Sequence, residues 1–98
     1  MRMTPGLTPS AIAQTHDRIR PYIRRTPCVH LSGADVGLDP FPLTLKLEFM
    51  QHGGSFKARG AFTNLLTRQI PSAGVVAASG GILGVAVACA ARRLGIPA

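Results

Sequence analysis

Lys57 is the residue of this chain best placed to do covalent chemistry. It is one of two lysines in the 98 residues and lies where a glycine-rich turn runs into a predicted helix. An amine must be neutral to attack a carbonyl, and the positive end of a helix disfavours the ammonium form, as does partial burial beside Phe56. This position therefore suits a lysine that bonds to an aldehyde. The alternative is an ordinary solvated lysine at a helix end.

The residues before Lys57 predict a tight turn. Gly53 and Gly54 permit backbone angles closed to other residues and a close approach to a flat ligand. Ser55 can cap the first N–H groups of the helix. The second lysine, Lys46, falls in an alternating apolar and polar segment at 43–48, which predicts a strand with Lys46 on its polar face. We interpret Lys46 as an ordinary strand residue.

A second chemical feature is the turn formed by Ser79, Gly80 and Gly81. It follows a short apolar run, 75–78, and precedes a predicted helix, so its N–H groups would point beyond the end of a parallel sheet. Such groups favour an anion, either a carboxylate or a phosphate. A dinucleotide fingerprint fits poorly because Ser79 occupies its first glycine position.

The elements that must hold these two turns alternate between helices and strands. We predict a helix that opens at Thr8 and Pro9 and ends near Pro21, strands at 28–31, 43–48 and 75–78, and helices at 58–69 and 82–94. The 75–78 run has the composition of a strand buried on both faces of a parallel sheet. This order predicts an α/β fold with a partial parallel βαβ sheet and right-handed crossovers.

Composition limits the class of protein. With 46% apolar residues the chain is expected to fold around a core, as a single incomplete α/β domain over residues 1–98. No apolar stretch reaches the ~20 residues that span a bilayer, and residues 1–6 show no apolar signal-peptide core. We therefore expect a cytoplasmic protein. Cys28 and Cys89 have no metal-binding spacing, so we expect buried free thiols and no metal.

The net charge of +7 raises the possibility of nucleic-acid binding. The basic residues are mostly arginines scattered over several elements, with one Tyr and no Trp. Neither a long basic run nor an aromatic stacking platform is present. We expect no nucleic-acid partner and no membrane partner.

The motif Gly54-Ser55-Phe56-Lys57-x-Arg59-Gly60-Ala61 resembles that of the fold type II, tryptophan-synthase-β-like enzymes that use pyridoxal 5'-phosphate (PLP). Lys46-Leu47-Glu48 and Arg25-Thr26-Pro27 add to the resemblance. The string around the lysine is most similar to the branch that contains threonine and serine dehydratases (ammonia-lyases) and serine racemases. The chain is thus identified as resembling the N-terminal part of such an enzyme of amino-acid metabolism, truncated relative to the whole fold.

The resemblance implies a role for each site residue. Lys57 would hold PLP and remove the Cα proton of a small amino-acid substrate, and Phe56 would pack near the cofactor ring. Ser79, Gly80 and Gly81 would bind the substrate carboxylate. The reaction implied is β-elimination of serine or threonine to a 2-oxo acid and ammonia, by an enzyme that forms homo-oligomers. The family's phosphate-binding loop belongs to later sequence.

Two positions depart from the family pattern. Ile82 replaces an asparagine that contacts the cofactor's phenolic oxygen, and Leu83 replaces a histidine or small residue. An isoleucine cannot donate that hydrogen bond, so we expect this chain to be inactive alone. Gly80 stands where the racemases have a serine, which favours elimination over racemisation. The alternative interpretation is a noncatalytic interaction fragment of a degenerate gene.

Overall fold

The computed structural model describes residues 7–98, so the expected lack of a signal-peptide core at 1–6 lies outside the described residues. The described part contains three α-helices and a two-stranded sheet. They are α1 (Pro9–Ile19), β1 (Cys28–Ser32), β2 (Pro42–Lys46), α2 (Lys57–Thr67) and α3 (Ile82–Leu94). Short 3-10 turns occupy Gly33–Val36, Glu48–Met50 and His52–Gly54.

The predicted start of α1 and the predicted end of α3 are confirmed by their caps, whereas α2 ends two residues before the predicted position. The Thr8 hydroxyl accepts a hydrogen bond from the Ala11 N–H at 3.1 Å, and Pro9 is the first residue of α1. This proline removes an N–H that would have had no partner in the helix. At the other end of the chain, Gly95 closes α3 in the left-handed conformation at φ 70°, as a C-terminal glycine does.

The core lies where α2 packs on α3. Phe62 and Ala61 of α2 are buried against the small residues Ala86 and Ala90 of α3. Alanines let the two helix backbones approach closely, and the Phe62 ring fills the remaining space. Tyr22 stacks on Phe62 with ring centroids 5.5 Å apart. This packing fixes α2, and with it the position of Lys57 at its first turn.

The sheet differs from the prediction. β1 and β2 pair antiparallel, with Cys28 opposite Lys46 and Ser32 opposite Pro42, and no parallel pair forms among residues 7–98. The strand predicted at 75–78 is wrong: its Val75 N–H donates to the Pro97 carbonyl at 2.9 Å, and Val76 is 98% exposed. A buried strand needs neighbours on both edges to take up its N–H and C=O groups. Here Pro97 approaches the segment through that single hydrogen bond, and no strand of the described part pairs with it.

The predicted burial of the cysteines is only partly correct. Both thiols are free, but Cys28 is exposed and Cys89 is half-buried. Cys28 opens β1, whose first three residues are all exposed. Within residues 7–98, no helix has the length and apolar character to cross a membrane.

Candidate cofactor and substrate site

Lys57 is the first residue of α2, directly after the predicted turn. Gly53 and Gly54 adopt φ of 75° and 80°, a region that residues with a Cβ rarely enter. The Ser55 hydroxyl accepts a hydrogen bond from the Lys57 N–H at 3.3 Å, although Phe56 occupies the N-cap position of α2 and makes no side-chain cap. The chain leaves the glycine turn and then begins α2 at Lys57.

The Lys57 side chain enters a cleft between α2 and the segment that precedes α3. The side chain is half-buried, and its Nζ lies 5.6 Å from the centroid of the Phe56 ring. The cleft has a volume of about 720 Å³, and segment 75–78 and Leu83 form its other wall. Lys57 and Phe56 therefore face the segment that leads into the Ser79 turn.

The predicted carboxylate turn lies just beyond this wall and does not itself line the cleft. The Ser79 N–H donates to the Ala77 carbonyl at 3.0 Å, and the Gly81 N–H donates to the Ser79 hydroxyl at 3.1 Å. Among the described residues no acceptor faces the Gly80 N–H. A Cβ added at Gly80 would meet nothing within 4 Å. Gly80 is thus the member of the turn whose N–H is available to a ligand.

The two departures from the family pattern are exposed beside this turn. Ile82 is 50% exposed and Leu83 41% exposed. Neither side chain carries a donor or an acceptor. Of the two, Leu83 lines the cleft and makes that part of its wall apolar.

A polar network that the sequence analysis did not predict holds the start of α2. Arg59 binds the Glu48 carboxylate through both Nε and Nη2, and the Thr26 hydroxyl donates to the same carboxylate. The Lys46 Nζ donates to the Thr26 carbonyl at 3.2 Å. The three sequence motifs of the resemblance thus meet at Glu48, whose partner Arg59 lies two residues along the helix from Lys57. The motifs pointed to these residues, but not to the contacts between them.

Glu48 and Arg59 shift each other's pKa in opposite directions. Hydrogen bonding from Arg59 lowers the pKa of the Glu48 carboxyl; burial opposes this effect, and Thr26 and Lys46 reinforce it. The same pairing raises the pKa of the Arg59 guanidinium. Paired charges with several hydrogen bonds hold a fixed geometry, so this network makes Glu48 and Arg59 positioning residues for α2.

Gln51 is a second residue that positions the turn. Its side chain is 2% exposed, and its amide makes hydrogen bonds to the backbone N–H and C=O of Arg24, both at 2.8 Å. Its Oε1 also accepts from the His52 N–H at 3.1 Å. A single buried amide therefore ties the segment after α1 to the glycine turn before Lys57. A sequence pattern gives no signal for this contact, because its partners are backbone atoms.

Comparison with known proteins identifies the family. Residues 19–98 match the family described as "Pyridoxal-phosphate dependent enzyme". The chain belongs to the pyridoxal-phosphate dependent enzyme family. The predicted recognition and the PLP dependence of the family are confirmed by this match.

Individual relatives place the chain within this family. It is 45% identical to a phenylserine dehydratase of Ralstonia pickettii over 91% of this chain and 28% of the relative. It is 40% identical to a serine racemase of Arabidopsis thaliana over 90% of this chain and 27% of the relative. A crystal structure of a T.th. threonine deaminase matches with a TM-score of 0.74 and 41% identity, over 88% of this chain and 30% of that one. The fold type II class and the dehydratase branch are therefore confirmed.

This family member spans less than a third of the length of the relatives it matches. The residues that it contains fit the aldehyde end of PLP. Lys57 offers a half-buried amine beside an aromatic ring, and the apolar cleft walls suit a flat heteroaromatic ring. Ile82, which the resemblance would place near the phenolic oxygen, carries no donor for it.

Proposed function

We propose that this chain is the N-terminal part of a PLP-dependent threonine or serine dehydratase, in which Lys57 binds the cofactor. The observation that carries the proposal is the position of Lys57: a half-buried amine at the start of α2, in a cleft whose other wall leads into the Ser79 turn. A lysine in this position can serve first as the covalent anchor and then as a base.

The proposal gives each site residue a physical role. When bound, PLP accepts the electron pair left behind as the Cα proton departs. The Lys57 Nζ takes that proton, and Phe56 covers one side of the site. The Gly80 N–H donates to the substrate carboxylate, with Ser79 and Gly81 holding the turn in shape. Loss of the β-hydroxyl then leads to a 2-oxo acid and ammonia.

Absorbance spectroscopy tests the cofactor role. The wild-type chain, Lys57→Ala and Lys46→Ala are each titrated with PLP, and the yellow absorbance of the covalent adduct is recorded. We expect the adduct in the wild type and in Lys46→Ala but not in Lys57→Ala, because Lys46 is engaged with the Thr26 carbonyl. Equal adduct in all three proteins would contradict the proposal. Circular dichroism of the variants controls for folding.

A noncatalytic interaction fragment is the second candidate. The exposed apolar side chains around the cleft favour it, above all Val76, Phe56 and Ile82. This candidate predicts no saturable PLP adduct on Lys57 and no ammonia from serine or threonine. The preference between these two substrates, the cytoplasmic location, the single incomplete domain over 1–98 and the homo-oligomeric state stay predictions.

A further inference from the structure

A second cavity, of about 580 Å³, lies between the end of α1, the segment that follows it and β2. It shares only Arg59 with the Lys57 cleft. Apart from Ile23, its lining is basic: His16, Arg20, Arg24, Arg25, Lys46 and Arg59. No acidic side chain of the described residues lines it. We call this cavity the basic cavity.

Most of this positive charge has no counter-charge in the described part of the chain. The ion pair between Arg59 and Glu48 is the one found among residues 7–98. Arg24 donates to a backbone carbonyl and has no ion-pair partner in this range, whereas Lys46 donates to the Thr26 carbonyl and its charge also acts on Glu48. The side chains of Arg20 and Arg25 make no hydrogen bond or ion pair with any described residue. Apart from Arg59 these basic residues are exposed, so water screens part of their mutual repulsion, and an anion between them reduces the remainder.

The chemistry of the lining favours a particular class of anion. Four of the basic side chains are arginines, whose planar guanidinium groups bind phosphate and carboxylate oxygens through two parallel hydrogen bonds. The excess of positive charge favours an anion with more than one negative charge. We propose that the basic cavity binds a multivalent oxyanion of the phosphate class, for which diphosphate is the simplest probe.

The shape of the site favours a small ligand over a nucleic acid. The basic side chains surround a concavity, and apart from the His16 imidazole no aromatic ring of the described residues lines it on which a base could stack. A nucleic acid would instead need a basic surface that follows its backbone over several phosphates. This inference is independent of the proposed role of Lys57, and its failure would leave that role untouched.

Calorimetric titration with diphosphate, at constant ionic strength, tests the proposal. The wild type is compared with Arg20→Gln/Arg25→Gln, which removes two arginines that have no partner among residues 7–98. Arg18→Gln/Arg92→Gln removes the same charge from exposed positions outside the basic cavity. We expect saturable binding to the wild type and the control, and a loss of affinity of about 10-fold or more in Arg20→Gln/Arg25→Gln.

Three results would overturn the proposal. They are the absence of saturable binding to the wild type, equal weakening in both double variants, and a short DNA duplex that binds the wild type more tightly than diphosphate at the same ionic strength. Equal weakening in both double variants would show that binding responds to net charge alone. Tighter binding of the DNA duplex would show that the surface binds nucleic acid. Far-UV circular dichroism checks folding, and Arg25→Gln alone replaces the double variant if that protein is unfolded.

Discussion

The Glu48 carboxylate is the centre of a network that joins three segments of the chain. Thr26 comes from the loop before β1, Arg59 comes from α2, and Lys46 reaches the Thr26 carbonyl from β2. The sequence motifs predicted that these segments matter, but an alternating pattern at 43–48 made Lys46 and Glu48 look like ordinary strand residues. Contacts between distant side chains leave no periodic signal in a sequence, so this part of the site could not be predicted.

Removal of the Glu48 charge is expected to weaken the fold in a pH-dependent way. Glu48→Gln should lower the free energy of unfolding by about 1–2 kcal/mol at pH 7, because it replaces charge-assisted hydrogen bonds to Arg59 with neutral ones. A carboxyl whose pKa is lower in the folded than in the unfolded state stabilises the protein at any pH above its unfolded-state pKa. That stabilisation is lost as the pH falls through the folded-state pKa. The difference between the variant and the wild type should therefore shrink only below pH 4.5, the ordinary value for this carboxyl.

Urea unfolding from pH 7 down to pH 3 measures this difference. Asp39→Asn is the matched control, since it removes one exposed carboxylate that has no side-chain partner among residues 7–98. A difference between Glu48→Gln and the wild type that is independent of pH, or no larger than that of Asp39→Asn, would show that the network does not hold α2.

Among the secondary-structure elements, helices were predictable and the strand at 75–78 was not. The caps at Thr8 and Gly95 act within a few residues of the chain, so their sequence signals are sufficient. The run at 75–78 has the residues of a buried strand, but strand formation depends on a neighbour that a local pattern does not specify. In the structure this segment instead contacts the residues after α3, through the hydrogen bond from Val75 to Pro97.

Gly74 lies against Pro97 at the start of this contact, and its substitution should lower the free energy of unfolding. Gly74 has φ 98°, and a Cβ there would lie 2.0 Å from the Pro97 carbonyl oxygen. Gly74→Ala should lower the free energy of unfolding by about 2–4 kcal/mol, because backbone strain and overlap with Pro97 add together. Gly37→Ala is the matched control: its φ of 80° is similar, but nothing lies within 4 Å. It should cost about 1 kcal/mol.

Urea unfolding of these two glycine variants separates overlap from strain. Equal losses in Gly74→Ala and Gly37→Ala would contradict the close approach of segment 75–78 to Pro97, and with it the far wall of the Lys57 cleft.

Across the molecule as a whole, the main feature is apolar surface that is exposed to solvent around the Lys57 cleft. Phe56, Val76 and Leu83 all line the cleft, and they are 56%, 98% and 41% exposed. Contiguous apolar surface in water drives association, so we expect the chain to associate with itself as its concentration rises.

A charge placed on this face should reduce the association without unfolding the protein. Val76→Lys changes a side chain that is almost fully solvated, whereas Ala73→Lys adds the same charge at an exposed position beside the face. Sedimentation velocity over a range of concentrations should show less self-association for Val76→Lys than for the wild type and Ala73→Lys. Equal association of all three proteins would show that this face is not the contact.

The most direct test of the account is the identity of the nitrogen that reacts with PLP. The wild-type chain is incubated with PLP, reduced with borohydride, digested and mapped by mass spectrometry. We predict modification of Lys57, the half-buried lysine at the start of α2, in preference to Lys46 and the amino terminus. Modification of Lys46 or the amino terminus with Lys57 left unreacted would contradict this prediction.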